Sequence, residues 1–124
     1  MAQQGEAAGT DPVRVCEGAV RSVQAALAEP GALQRIVHHR IGDVPGSALL
    51  TLLIGDGVVR SWDLATAIGV DSGLDEQLVE YAYGSYEPIA KSGAIYANGW
   101  FAAPTTPLPG DATPLKRLIH LTGR

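Results

Sequence analysis

The longest apolar stretch of the chain runs from Pro45 to about Ile68, through SALLTLLIGDGVVRSWDLATAIG, and it bears most on the fold. Taken alone it supports two architectures. Gly55-Asp56-Gly57 between apolar runs has the composition of a β-hairpin turn. Alternatively the stretch is one helix carrying two glycines, each costing about 1 kcal/mol relative to alanine. The apolar residues on both sides fit either period, and Gly69 fits a helix C-cap.

The flanks read more simply. Residues 1–10 are small and polar without an apolar period, the signature of a disordered tail. A single domain is expected over residues 11–124. Asp11-Pro12 is a helix start, with Asp as cap and Pro at the first helical position. Val13, Cys16, Val20, Val23 and Leu27 then recur at alternating steps of three and four, one narrow apolar stripe. Pro30-Gly31 stops that helix, and Cys16 reads as a small buried hydrophobe within the stripe. Residues 34–41, QRIVHHRI, read as a short extended segment, and GDVPG at 42–46 reads as a turn. Asp71 or Ser72 caps the next helix, whose face would be Leu74, Leu78, Tyr81, Ala82 and Ser85, with Pro88 kinking or ending it. Residues 90–111 are rich in Gly, Ala and Pro and read as a loop over the core, anchored by Trp100 and Phe101. Thr113-Pro114 opens a last helix in which Leu115, Leu118, Ile119 and Thr122 face one side, and Gly123 ends it.

Composition excludes several functions. The chain has 124 residues and a net charge of −4 with mixed signs. A domain of this length buries a core without disulfide or metal staples. No basic run suits a phosphate backbone, so no nucleic-acid partner is expected. No apolar run approaches the roughly 18 residues of a membrane span, and MAQQGEAAGTD lacks the order of a signal peptide. Cys16 is the lone cysteine, so no intrachain disulfide forms. A reducing, cytoplasmic location is expected.

The segment VVRSWDLATAIG at 58–69 resembles part of the DinB-like helical bundles, and most of all the actinobacterial branch related to mycothiol-dependent maleylpyruvate isomerase. The helix there commonly reads His-Gly-Trp-Asp-Leu-Ala, a few further residues, then Gly. EPGALQRIVHHRIGDVPGSALL at 29–50 is similar to that family's approach to the helix, and WFAAPTTPLPGDATPLKRLIHLTGR at 100–124 to its closing segment. The resemblance covers roughly residues 12–124 and decides for a long helix at 46–68. It implies a mainly α fold: a partial DinB-like bundle of about four helices, with a short extended segment before a long central helix. It also implies that the two helices opening the family's bundle, one of which supplies a metal-ligand His, would precede the start of this chain.

The family draws an acidic residue and a His, four apart, from the long helix, to hold a divalent metal used with mycothiol. Those positions correspond here to Asp56 and Arg60. An arginine is permanently charged and has no lone pair to give a metal, so no metal or other cofactor is expected. Asp56, Arg60 and Asp63 fall at spacings of four and three and share one helix face. The expectation is an inward-facing Asp56–Arg60 pair, with Arg60 where relatives hold a cation, since Leu53, Val59 and Trp62 suggest a buried helix; the alternative is a surface ion pair.

His38 and His39 are adjacent in the extended segment and point to opposite faces, so only one, for instance His39, faces a site. His120 is far along the chain, and three converging ligands have no spacing signature. Asp63, Trp62, His39, Tyr86, Trp100 and Phe101 are the candidate pocket residues. Tyr81, Tyr83, Tyr86 and Tyr96 with Trp100 and Phe101 either line a pocket or pack the core and lid. No GxSxG, P-loop, CxxC or HExxH is present.

Three functions stay open. The first is a degenerate, non-catalytic family member binding a small molecule or a partner chain. The second is a thiol-dependent isomerase or transferase completed by another chain. The third is a structural oligomerisation module. Arg60 favours the first and third, and the apolar faces left by an incomplete bundle favour a homodimer.

Overall fold

A computed structural model describes residues 11–40 and 42–124. The expected tail at 1–10 lies outside the described residues. The chain is mainly α, with five helices and one small sheet among the described residues. It divides into two compact units between Ala48 and Leu49.

The first unit begins with α1 (Pro12–Ala28). The Asp11 side chain accepts from Arg14 N at 3.2 Å, and Pro12 occupies the first turn, the cap read from the sequence. No residue of α1 is buried, and Cys16 is exposed, which corrects its assignment to a core. The stripe has the spacing of a packing seam, but among the described residues none of its side chains is buried. β1 (Ile36–His39) follows and pairs antiparallel with β2 (Gly42–Pro45), in the register Ile36↔Pro45 through His39↔Gly42. Residues 42–45 are therefore a return strand, where the sequence suggests only a turn. Pro45, which has no N–H for a ladder, sits at the strand's end, where a proline is tolerated.

The second unit is built from α2 (Gly46–Ile68) from Leu49 onward, α3 (Glu76–Lys91), α4 (Ala94–Ala97) and α5 (Pro114–Leu121). Gly55-Asp56-Gly57 lies inside α2, so the helix reading holds against the hairpin. Only Gly55, Val58, Val59 and Ala65 of α2 are buried. Gly69 closes α2 with φ +75° and Gly123 follows α5 with φ +77°, left-handed positions that glycine adopts without a Cβ penalty.

Asp75, not Asp71 or Ser72, caps α3, accepting from Leu78 N at 3.2 Å. Asp71 instead accepts from Gly73 N at 2.7 Å and shapes the preceding turn. The cap falls later than expected, and the buried face of α3 is Val79, Ala82 and Tyr86, while Leu78 and Tyr81 are exposed. Pro88 does not end the helix, which continues to Lys91. It stands in the last turn, so its missing N–H and its clash with the preceding turn affect few further residues.

The core joins Val58 and Val59 to Val79, Ala82 and Tyr86, with Ile95, Phe101, Leu118 and Leu121 closing it. Phe101 is buried and Trp100 is half-buried against this cluster, the anchoring expected of them. The segment 90–111 is not loop throughout, because it contains the single turn α4. The Tyr96 hydroxyl donates to Leu121 O at 2.8 Å, which ties that turn to α5. Leu118 and Ile119 of α5 and Thr122 at its C-cap are buried as the spacing predicts, Leu115 is only half-buried, and Leu121 is buried although the spacing leaves it out. The Thr122 hydroxyl meets the carbonyls of Leu118 and Ile119.

Candidate functional site

Two places in the second unit gather chemistry. The first is the polar face of α2. Arg60 Nε lies 3.4 Å from Asp56 Oδ1, and Arg60 Nη1 lies 3.4 Å from Asp63 Oδ2, so the three residues share a face as their spacing requires. The pair does not face inward, however. The Arg60 and Asp56 side chains are 56% and 52% exposed. The buried stripe Gly55–Val58–Val59–Ala65 claims the opposite side of the helix, and Leu53, offered as a sign of burial, is itself 50% exposed. An ion pair of this exposure contributes under about 1 kcal/mol.

Asp63 has a stronger partner, one with no sequence signature. Arg124 Nε and Nη2 donate to its two carboxylate oxygens at 2.7 and 2.6 Å, a bidentate fork across 61 positions of chain. The Arg124 guanidinium also lies over the Phe101 ring, 5.2 Å from its centroid, with that of Arg60 at 5.7 Å. Phe101 in turn meets Tyr86 at 5.9 Å, and the Tyr86 hydroxyl donates to Leu52 O at 2.9 Å. Burial pushes the Tyr86 phenol up to about 12.

Of the candidate pocket residues, Asp63, Tyr86 and Phe101 thus come together, but as a packed contact. Trp62 and Trp100 are half-buried, and Trp100 packs against the core. His39 stands in β1 of the first unit, beside His38, whose Nδ1 lies 2.6 Å from Asp43 Oδ1. Asp56 and Arg60, which the resemblance would place at a metal site, do not fit a divalent cation. The Arg60 guanidinium has no lone pair and is held by the Asp56 carboxylate. Among the described residues no three His, Cys, Asp or Glu side chains converge as a metal site would require.

Hydrogen bonding to Arg124 holds the Asp63 carboxyl below its ordinary range, against an opposing push from partial burial. A carboxyl lowered in the folded state stabilises the fold fully above its ordinary value of 3.8, and that stabilisation is lost as pH falls through the folded value. Asp63→Asn is therefore expected to cost about 1–3 kcal/mol at neutral pH. The variant should then lose less additional stability than the parent between about pH 5 and pH 2. Urea denaturation at several pH values checks this, and parallel acid profiles would rule out the pairing as the cause.

The second place was invisible in the sequence. An open cleft of about 350 Å³ lies beside α3 and α5, walled by Tyr83, Ala90, Tyr96, Pro104, Leu108 and Leu121, with Glu87, Lys91, Arg117 and His120 among its polar groups. Lys91 Nζ pairs with Glu87 Oε1 at 2.9 Å, one helical turn away. Hydrogen bonds from Lys91 and from Tyr83 hold the Glu87 carboxyl below its ordinary range. His120 Nε2 meets Thr106 O at 2.5 Å, which holds the loop wall near α5. Arg117 Nε donates to Ala112 O at 3.0 Å.

Two curated proteins of Mycobacterium tuberculosis are similar to this chain. Uncharacterized protein MT0763 of strain CDC 1551 / Oshkosh and Uncharacterized protein Rv0738 of strain H37Rv are each 28% identical to it over 103 residues. The match covers 79% of this chain and 53% of each relative, so the chain spans about half the length of the curated relatives it matches. No family profile and no solved structure matches the chain. No helix among the described residues is long and apolar enough to cross a membrane. In α2 the charges of Asp56, Arg60 and Asp63 interrupt the apolar run.

Proposed function

We propose that this chain is a DinB-like helical module that acts by binding rather than by catalysis, and that the apolar seam of α1 docks onto a second copy of itself. The observation that carries the reading is an unpartnered stripe. Val13, Val20, Val23 and Leu27 are 63%, 56%, 44% and 37% exposed and Cys16 is exposed with them, although the steps of three and four along the five are those of a helix–helix seam. The residues beside the seam are small or neutral apart from Glu17: Ala19, Gln24 and Ala26. Two such helices approach closely without like-charge repulsion, which suits a two-fold pair in which one patch meets its own copy. A second apolar face, Leu53, Leu64 and Ile68 on α2, offers further area. Arg60, in place of a ligand, supports a role without metal chemistry.

Light scattering with sedimentation on the full chain tests the assembly. A dimer is expected at micromolar concentration, and Val20→Asp with Val23→Asp should give a monomer of unchanged helical content. A parent chain that is a folded monomer would overturn the proposal, because the stripe would then be covered by its own chain or left bare. A dimer that survives both aspartates would move the interface away from α1, and Leu64→Lys would then report whether the α2 face carries it.

A further inference from the structure

The cleft beside α3 and α5 is independent of the α1 seam and has the makings of a ligand site. Its walls are apolar, with the side chains of Tyr83, Tyr96, Leu108 and Leu121 around a space of about 350 Å³. That is the small end of the range in which proteins bind small molecules, so a compact ligand fits best. Tyr96 is fixed by its bond to Leu121 O, and the loop wall is fixed by His120 on Thr106 O, so the space is held by contacts on both sides. A pre-formed space binds with less ordering cost than one that must be shaped.

The polar groups decide the charge of the ligand. Glu87 is satisfied by Lys91 and Tyr83, so the cleft's one carboxylate and one of its cations are spent on each other. Arg117 remains. Its Nε is held by Ala112 O, its two terminal nitrogens make no hydrogen bond to the described residues, and its charge adds to that of Lys91 in drawing the Glu87 carboxyl down. A guanidinium anchored through Nε presents those two nitrogens end-on, a spacing that matches the two oxygens of a carboxylate. The cleft thus carries one unbalanced positive charge in a chain whose net charge is −4. A cation kept on an apolar wall, in a chain acidic elsewhere, selects for an anion with an apolar body.

We propose that this cleft binds a small carboxylic acid with an aromatic or branched apolar body, its carboxylate on the terminal nitrogens of Arg117 and its body between Tyr83, Tyr96 and Leu108. Neither the family metal positions nor the α1 seam takes part. The aromatic walls favour stacking or edge contact with a ring.

Titration calorimetry and backbone amide NMR on the full chain test the site, with 4-phenylbutyrate as probe and its neutral amide as the matched control. The acid should bind and shift the amides around Tyr83, Leu108, Arg117 and Leu121, and the amide should bind at least about tenfold more weakly, the effect of losing one charge-assisted contact. Arg117→Gln should weaken the acid to the level of the amide and leave the amide unchanged. Lys116→Gln removes an exposed neighbouring charge outside the cleft and should change neither. Equal binding of acid and amide to the parent chain would overturn the proposal without any variant, as would shifts confined to other surfaces or no binding at millimolar probe. If Arg117→Gln does not fold, Arg117→Lys keeps the charge without the fork, and undiminished binding of the acid to it would overturn the role given to the guanidinium.

Discussion

Phe101→Ala is expected to lower the unfolding free energy by about 3–5 kcal/mol, the range for deleting a buried aromatic ring. Natural domains have about 5–15 kcal/mol in total, so this single change brings the fold close to its limit. Phe101 is 8% exposed and lies in the cluster with Tyr86, Leu118 and Leu121. Its ring also lies under two guanidiniums, those of Arg60 and Arg124, and beside Tyr86. Phe101→Leu separates the two contributions. Leucine retains most of the apolar burial but offers no ring face, so its cost is expected at about 1–2 kcal/mol, from the cation–π and ring–ring contacts alone. Chemical denaturation followed by far-ultraviolet circular dichroism gives both values. A loss under about 1 kcal/mol for Phe101→Ala would mean that the segment around it does not pack on α2 and α3.

What the sequence made legible was local. Asp11-Pro12, Thr113-Pro114, Gly69 and Gly123 each carry their own backbone chemistry, so the ends of α1, α2 and α5 could be read from neighbouring residues alone. Leu118 and Ile119 on the buried face of α5 followed from spacing, while the buried Leu121 did not. Nor did the face of α3. Leu78 and Tyr81 have the apolar character of core residues, yet Val79, Ala82 and Tyr86 are turned inward. Polar residues Glu76, Glu80, Glu87 and Lys91 mark the outer side of α3, but the apolar arc opposite is wide, and periodicity does not say which part of it is buried: Val79, Ala82 and Tyr86 take the centre and Leu78 and Tyr81 the margin. The inward pairing of Asp56 and Arg60 failed on a related point. Their spacing predicted their contact correctly, but spacing says nothing about which side of a helix meets the core. The fork from Arg124 to Asp63 spans 61 positions, and the cleft draws its walls from α3, the loop beyond α4 and α5. Both are products of tertiary packing, which leaves no period in the chain.

Gly55 and Gly57, in the interior of α2, are the place where sequence and structure bear on each other most directly. Each should cost the helix about 1 kcal/mol relative to alanine, and by propensity alone both are defects. Their surroundings separate them. A Cβ at Gly57 would meet nothing within 4 Å, whereas one at Gly55 would overlap the Tyr86 ring. That ring is 2% exposed and is held at both ends, by its hydroxyl on Leu52 O and by the neighbouring Phe101. It has no room to retreat, so the overlap has to be relieved by shifting α2 against α3. Overpacking of this kind costs about 1–3 kcal/mol. Gly57→Ala is therefore expected to stabilise the protein by up to about 1 kcal/mol. Gly55→Ala is expected to destabilise it by about 1–2 kcal/mol, the propensity gain only partly offsetting the clash. Thermal and urea unfolding of the two variants measure the difference. A second readout follows the cause. The Tyr86 phenol stays neutral up to about 12 because it is buried. If the shift of α2 against α3 in Gly55→Ala opens the Tyr86 hydroxyl to solvent, its ionisation should move down toward the ordinary value of 10. Ultraviolet titration of the phenols in the folded protein would see one tyrosine move in Gly55→Ala and none in Gly57→Ala. Equal stabilisation by both alanines, with an unchanged titration, would mean that Tyr86 does not rest on Gly55 and that the glycine serves no packing purpose.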